Sequence, residues 1–432
     1  MNSCERGGGM IEIPIWIFVV LVLVVATMAT MLWTLLRERE FHVKVPELDS
    51  FEEALPSMAG MTKAVILEGN RAEILQNGDQ FFPALLDAIA RAKETIHFET
   101  YVWWTGGICD TVAEAFAARA REGLEVRIMV DALGGMKMKP RLRDMMKEAG
   151  CKVTRYHPIR LIDIGQLNKR THRKLAIFDG REAFIMGHGI SSKWTGNGQD
   201  RDHWRDTGVR LHGPVVNAVQ SIFSQHWIEE TGEVLVGEKY FPHLEPVGDM
   251  RMHVLAGAPL GGVSDLELMF KMAIASAQKE LIIQNPYFIP DFETAALLRR
   301  AIKRGVEIKI MVPGPVTDSP VVSHAGHRHF SEMLHAGVRI FCHQKTLIHQ
   351  KIMIIDGLWS HVGSTNLDDR SFDINEEAGV GIVDEGIAAE LKTAFEDDRR
   401  HCIELKAETW DQEYTLWHRA FDRACYLLSG QL

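Results

Sequence analysis

Cysteine is scarce and shows no pairing pattern. Six occur in 432 residues (Cys4, Cys109, Cys151, Cys342, Cys402 and Cys425), never spaced C-x-x-C. That disfavours a zinc knuckle or a disulfide framework and leaves reduced thiols in a cytosol-facing domain as the simple reading. A basic excess is missing as well. Lys and Arg number 48 against 58 Asp and Glu, a formal charge of −10. There is thus no global cationic surface for nucleic acid, and an anionic substrate has to be held by a local cationic pocket. Gly134-Gly135 and Gly196-x-Gly198 lack the context of a P-loop or dinucleotide fingerprint and read as turns. What is present is ordinary globular composition, 46% hydrophobic and 25% charged, in a chain long enough for two or three domains.

Only one long apolar run exists, and it lies near the N-terminus. From Ile13 to Leu36 there is no charged residue, 24 residues between Glu12 and Arg37, with Trp16 and Trp33 near the two ends. As a helix it would extend about 36 Å, enough for a hydrocarbon core of about 30 Å. A cleaved signal peptide would have a shorter apolar stretch with basic residues directly before it; here only Arg6 precedes. The expectation is an uncleaved single-pass anchor, a transmembrane helix over about 13–36 in a segment spanning 1–44. Arg37, Arg39 and Lys44 follow the run, which by the positive-inside rule places the C-terminal bulk in the cytoplasm.

The remainder reads as one unit used twice. Lys93-Glu94 leads into an apolar run with Tyr101, and Lys279-Glu280 into another with Tyr287. Gly123-Leu-Glu-Val-Arg-Ile-Met-Val130 repeats as Gly305-Val-Glu-Ile-Lys-Ile-Met-Val312, Ala149-Gly150 as Ala336-Gly337, and His172-Arg-Lys174 as His349-Gln-Lys351. The offsets are 186, 182, 187 and 177, too long for a solenoid and right for two homologous domains. Within each unit helix and strand patterns alternate. Phe82–Ala92 and Thr111–Glu122 have helical spacing, the latter ending at Gly123. Thr95–Trp103 and Leu124–Val130 read as strands. The pattern predicts an α/β fold with helix-covered sheets. The join is expected near Tyr240–Met250, giving domains 45–245 and 246–432. Ala388–Glu408 reads as an amphipathic helix.

The chemistry sits in His172-Arg-Lys174-Leu-Ala-Ile-Phe-Asp179 and His349-Gln-Lys351-Ile-Met-Ile-Ile-Asp356. Each reads as a strand ending at an Asp-Gly turn. Residues two apart on a strand share a face, so each His projects with its Lys. The Asp, of opposite parity, is expected to brace the turn. Two such faces meeting across a pseudo-twofold would place two imidazoles and two ammonium groups around one small volume. That suits a phosphodiester: the lysines neutralise developing charge, one histidine attacks phosphorus, and the other protonates the leaving oxygen. The lysines supply the charge, so no metal or other cofactor is called for.

These residues resemble the paired HKD motifs of the phospholipase D superfamily. Gly363-Ser364-Thr-Asn366-Leu-Asp368-Asp-Arg370-Ser371-Phe372-Asp-Ile-Asn375-Glu-Glu377 is similar to a stretch of its bacterial cardiolipin synthase branch. Asn285-Pro286-Tyr287-Phe288-Ile289-Pro290 and His203-Trp204-Arg205-Asp206 are similar to two further segments of that branch. The resemblance implies two phospholipase D-like domains, each a mixed sheet flanked by helices, related by a pseudo-twofold. It implies a catalytic set of His172, Lys174, Asp179, His349, Lys351 and Asp356. Asp206 and Glu377 would be the acidic partners orienting His172 and His349, and Ser364 and Asn366 would donate to phosphate oxygens. One departure stands out: Met186-Gly187-His188-Gly189 has Gly189 where the family carries Asn, so either the first half lacks one phosphate donor or His188 or Asn197 substitutes for it.

The function so implied is a phosphatidyltransferase of the inner membrane that makes cardiolipin from phosphatidylglycerol, with phosphatidylethanolamine as a second candidate donor. Hydrolysis to phosphatidic acid is the alternative, and a phosphodiesterase or nuclease the third reading; no nucleic-acid partner is expected from the charge. A non-catalytic lipid-binding scaffold would need a broken motif, and both are complete. Trp103, Trp104 and Phe288 follow strand ends and are candidates for a lipid entrance, with core packing the alternative. His324, His327 and His329 have no acidic or cysteine partner nearby in sequence, so surface or headgroup contact is expected of them.

Overall fold

The computed structural model describes residues 14–36, 44–46, 48–158, 168–257 and 264–426. The chain divides into two compact units, 1–42 and 43–432. In the first, Ile15–Leu36 forms one α-helix. The hydroxyls of Thr27 and Thr30 donate to the carbonyls of Leu23 and Ala26 one turn back, which leaves neither hydroxyl seeking water. Among the described residues no helix is long and apolar enough to cross a membrane. In this helix the side chains of 29 and 32–36 lie outside the described residues. The expected transmembrane helix is therefore met as a helix, not as a span. Arg6, Arg37 and Arg39, which set the expected orientation, also lie outside the described residues.

The second unit is built on one sheet of fifteen strands. The first half supplies β1 (Leu67–Gln76), β2 (Thr95–Thr100), β3 (Glu125–Asp131), β4 (Lys152–Tyr156), β5 (Leu175–Phe178), β6 (Glu182–Met186) and β7 (Thr207–His212). The second supplies β8 (Met250–Gly257), β9 (Glu280–Gln284), β10 (Glu307–Pro313), β11 (Arg339–His343), β12 (Ile352–Ile355), β13 (Trp359–Gly363), β14 (Glu377–Val383) and β15 (Cys402–Glu404). Outward from the middle, the first half runs β1-β7-β6-β5-β2-β3-β4 and the second β8-β14-β13-β12-β9-β10-β11-β15. Apart from the extra edge strand β15, the two orders match strand for strand, so a pseudo-twofold passes between β1 and β8. Both halves are mixed: β2, β3 and β4 pair in parallel, as do β9, β10 and β11, while β5 to β7 and β12 to β14 pair antiparallel.

The central strands are buried on both faces. β5, β6, β12 and β13 are buried at every position, which explains why β5 and β12 read as unbroken apolar runs, while β6 opens on Glu182 and β13 buries Ser360 and His361. Two outer cores, one per half, pack helices on the sheet. A third core is shared: Val216, Phe223 and Trp227 of helix Val215–Thr231 join Ile387, Leu391 and Phe395 of helix Glu385–Arg399. Here β6 and β7 approach β13 and β14, and the two repeated motifs come together.

The structure corrects several expectations. The helix Phe51–Met61, placed by sequence in the first domain, packs its Phe51, Leu55 and Met58 into the second half's core, with Phe51 stacked on Trp359 at 5.0 Å. The helix expected over 388–408 stops at Arg399, and the chain returns as edge strand β15 against β11. Trp103 and Phe288 are core residues, not entrance residues.

The two Asp-Gly turns carry the main correction to the candidate site. Asp179 and Asp356 have φ of +53° and +54°, and Gly180 and Gly357 follow with +60° and +66°. A non-glycine residue adopts this region only with compensation, and the compensation is visible. Asp179 accepts from the backbone N–H groups of Lys93, Glu94 and Thr95 at 2.7–2.9 Å. Asp356 accepts from those of Gln278, Lys279 and Glu280 at 2.7–2.9 Å. Each ties the end of a motif strand to the start of β2 or β9, and neither reaches an imidazole. The implied catalytic role for Asp179 and Asp356 gives way to bracing, as the parity argument requires. Asp179→Ala and Asp356→Ala are each expected to lower stability by about 1–2 kcal/mol through loss of charge-assisted bonds, measured by chemical denaturation. Lost turnover at unchanged stability would contradict the bracing role.

Candidate active site

His172 and Lys174 stand just before β5, and His349 and Lys351 just before β12. Each motif is stitched to the opposite half by an isolated parallel bridge, Thr171 with Glu376 and Arg205 with Ile348. The His172 amide donates to the carbonyl of Glu376 at 2.7 Å, and the His349 amide to that of Arg205 at 2.7 Å. The residue after each of those carbonyls is an acid, and it meets the imidazole. His172 Nδ1 lies 2.9 Å from both carboxylate oxygens of Glu377. His349 Nδ1 lies 2.7 Å from Asp206 Oδ2. The acids pair across the halves: the first half's histidine is oriented by the second half's glutamate, and the reverse. With Nδ1 engaged by a carboxylate, Nε2 is the nitrogen left for chemistry.

Buried ion pairs flank both bridges. Arg205 donates through Nε to both oxygens of Asp398 at 3.0 Å. On the other side Arg173 Nη2 donates to Glu376 Oε2 at 2.7 Å, and His226 bridges Glu376 (3.3 Å) and Glu99 (2.6 Å). These pairs set the backbone that carries Asp206 and Glu377.

The two lysines share the same volume. Lys174 Nζ donates to the His172 carbonyl at 2.8 Å. Lys351 Nζ donates to the His349 carbonyl at 2.6 Å and lies 3.0 and 3.1 Å from the His349 ring nitrogens. Burial pushes Lys174 down to about 7 and Lys351 down to about 8, and the charge of Lys351 presses further on Lys174. Burial also lowers His172 to about 4, against the opposing charge of Glu377; His349 is lowered by burial and then by Lys351. For Asp206 and Glu377 burial acts upward, but the charge and hydrogen bond of the facing histidine outweigh it, and both carboxyls stay below their usual range. The resting site therefore holds two neutral imidazoles, two carboxylates and two easily discharged ammonium groups.

Sequence reasoning placed the histidines, lysines and acids at the site but misjudged the supports. Ser364 donates to Glu377 Oε2 and accepts from the Ala378 amide, so it holds the glutamate and is not a free phosphate donor. Ser371 donates to the other oxygen at 2.8 Å. Asn366 is 5% exposed; its Oδ1, an acceptor, is buried with no hydrogen-bond partner, so only its Nδ2 is of a kind to serve a phosphate oxygen. On the other side Trp194 Nε1 donates to Asp206 Oδ2 at 2.8 Å. The same indole explains the departure at Gly189. A Cβ there would lie 2.8 Å from Val102 and 2.9 Å from the Trp194 ring, and one at Gly187 would meet Asp206 at 2.1 Å. Neither suggested substitute donor fills the gap. His188 is stacked on Phe81 at 4.3 Å with both ring nitrogens unpartnered, and Asn197 is exposed. The pocket is thus asymmetric, with two serines behind one acid and a tryptophan behind the other.

Other residues were present in the motifs without being assigned. Trp204 stacks on His349 at 5.6 Å, and Tyr101 packs its edge on His172 at 5.3 Å. Tyr287, the repeat partner of Tyr101, donates to Asp318 at 2.8 Å. Asp368 is fully buried, burial raises its carboxyl to about 7, and its Oδ2 has no partner.

The family described as "Cardiolipin synthase, PLD-like domain" matches residues 85–227 and 270–399, more than half of the chain. The chain belongs to this family. The two matched segments fall one in each half and bracket both motifs. The chain is similar to probable cardiolipin synthase YwiE of Bacillus subtilis (strain 168), 34% identical over 335 residues, 77% of this chain and 67% of that protein. It is also similar to the cardiolipin synthase of Oceanobacillus iheyensis, 30% identical over 379 residues, 88% of this chain and 79% of that protein. Among solved structures, phosphatidylserine synthase from Haemophilus influenzae Rd KW20 has the same fold, with a TM-score of 0.63 at 14% identity, covering 87% of this chain and 99% of that one.

The ionisation states fix the pH response. An imidazole lowered to about 4, as at His172, stays unprotonated down to that pH. The lysines lose charge as pH rises through about 7 and 8. For a phosphodiester substrate kcat/KM is expected to hold from about pH 5 to 7 and fall above it. The kcat profile should fall later, because a bound anion favours the charged lysines. A kcat/KM profile still rising at pH 9 would contradict this assignment.

Proposed function

We propose that the protein is a phosphatidyltransferase that makes cardiolipin from two molecules of phosphatidylglycerol. The observation that carries the reading is the paired arrangement itself: two imidazoles, each oriented by a carboxylate from the opposite half, with two buried lysines between them. His172 is the nucleophile. Its Nε2 has no hydrogen-bond partner among the described residues, whereas His349 Nε2 lies 3.1 Å from Lys351. His172 Nε2 forms a bond to phosphorus as the bond to the glycerol headgroup breaks, and the departing oxygen takes its proton from His349. Lys351 supplies that proton through His349, and recovers it when His349 takes the proton of the acceptor hydroxyl in the second step. A hydroxyl of the second phosphatidylglycerol then gives its proton to His349 and attacks phosphorus, and the P–N bond breaks. Lys174 and the Nδ2 of Asn366 hold the non-bridging oxygens as charge builds up, and Lys351 joins them once it has its proton back. Asp206 and Glu377 keep the tautomers and stabilise each imidazolium in turn.

Water in place of the second lipid would give phosphatidic acid, so transfer requires that acceptor and not water reaches the phosphatidyl-histidine. The anchor belongs to the same proposal. The uncharged run from Ile13 to Leu36 would hold the site against the inner membrane as a single pass, with the two catalytic halves on the cytoplasmic side and phosphatidylglycerol, or phosphatidylethanolamine, as donor.

Lipid mass spectrometry of the purified protein with phosphatidylglycerol vesicles tests the chemistry. Cardiolipin with free glycerol is expected, and phosphatidic acid alone would make the protein a hydrolase. His172→Ala and His349→Ala should each lower turnover by about 10³-fold or more. With a p-nitrophenyl phosphodiester, which needs no acid for departure, His349→Ala should still form the covalent adduct and His172→Ala should not. The opposite result would exchange the two roles. For the anchor, the full chain is expected to stay in the membrane pellet after alkaline carbonate extraction, and a chain lacking residues 1–44 to be released. A soluble full chain would remove the anchor from the proposal.

A further inference from the structure

Outside the active site, helix Pro320–His327 and helix Leu416–Tyr426 pack on each other, and three ligand-type side chains meet between them. His324 and His327 stand one turn apart on the first helix. His324 Nδ1 is 2.8 Å from Asp422 Oδ1, and His327 Nδ1 is 3.7 Å from Asp422 Oδ2. One nitrogen or oxygen from each of the three lies within 4.8 Å of the others. Asp422 is 1% exposed although it sits on the last described helix, and its Oδ2 is buried with no hydrogen-bond partner. An oxygen taken from water and given no donor calls for an explanation. The separation of 3.7 Å is too long for a hydrogen bond. It is close to the spacing of two ligand atoms each about 2.0–2.2 Å from a shared tetrahedral ion. The rings are also fixed in place: His324 packs edge-on against Phe421 at 4.9 Å, and His327 against Trp410 at 5.2 Å and Phe330 at 5.1 Å.

We propose that His324, His327 and Asp422 form a site for a divalent cation of the zinc class, with water completing the coordination, and that the ion pins the C-terminal helix to helix Pro320–His327. Two imidazole nitrogens and one carboxylate oxygen are a donor set that suits zinc and not calcium or magnesium. The sequence showed H-x-x-H but hid the acid, which arrives from 95 residues further on. None of the hydrogen bonds or ring contacts of His324, His327 and Asp422 given above involves His172 or His349, so the ion's role in this proposal is to hold structure.

The test uses the full-length protein in detergent, prepared without a histidine tag, stripped with chelator and titrated with Zn2+. About one equivalent per chain should bind, raise the melting temperature by about 3–5 °C and protect the C-terminal helix from protease. His327→Ala and Asp422→Asn should each weaken binding about tenfold or more. His335→Ala, which removes a half-exposed histidine bonded to Asp411, should leave it unchanged. Asp422→Asn also disturbs the bond to His324, so His327→Ala, whose Nδ1 stands beyond hydrogen-bond reach of Asp422, is the deciding variant. No saturable zinc binding by the unaltered protein, or undiminished binding by His327→Ala, would overturn the proposal.

Discussion

Each motif imidazole is completed by an acid from the opposite half, and the rest of the site depends on that exchange. Glu377 reaches His172 because the residue before it, Glu376, is bridged to the first motif; Asp206 reaches His349 because the residue before it, Arg205, is bridged to the second. Neither half holds a finished histidine–acid pair by itself. The exchange also fixes distance. Two backbone bonds of 2.7 Å set how closely the motif strands approach, and so set the space in which one phosphorus atom can meet both imidazoles. Positioning of this kind is worth a large part of a phosphoryl-transfer barrier.

Burial then governs the charges. Desolvation keeps both imidazoles neutral and brings both lysines to the edge of losing their protons, while the carboxylates stay ionised through their histidine partners. Such a site is poorly satisfied when vacant, because its ammonium groups repel each other away from water. A phosphodiester places its negative charge directly beside the lysines and favours their charged forms, so what burial costs them becomes affinity for the anion. Stabilisation of this kind grows as the transition state gathers charge.

Much of this was legible in the sequence because chemistry repeated twice leaves a strong trace. The two H-x-K segments, the acids Asp206 and Glu377 and the alternating α/β pattern all stand in the chain in order, and the structure brings the histidines, lysines and acids together. The parity of Asp179 and Asp356 foretold that they would turn away. Other features were hidden for physical reasons. Ser364 looked like a phosphate donor because a hydroxyl next to a motif has no visible preference between substrate and neighbouring carboxylate. Trp194 gave no signal, since only the fold shows that its indole occupies the space an asparagine side chain would need at Gly189. The helix Phe51–Met61 joined the second half because an apolar face does not state which core it will enter, and the 95 residues separating the two histidines from Asp422 carry no periodicity that links them.

The ion pairs beside the bridges have a consequence for how the duplicated unit stays in register with itself. On one side the first half offers Arg205 to the second half's Asp398; on the other it offers Arg173 and His226 to the second half's Glu376. The first half thus brings cations to both junctions and the second half brings anions to both. A homotypic pairing, two first halves or two second halves, would force like charges together out of water, at a cost of several kcal/mol per contact. The heterotypic pairing sets each of these cations against an anion, so each copy's surface fits the other better than it fits a second copy of itself.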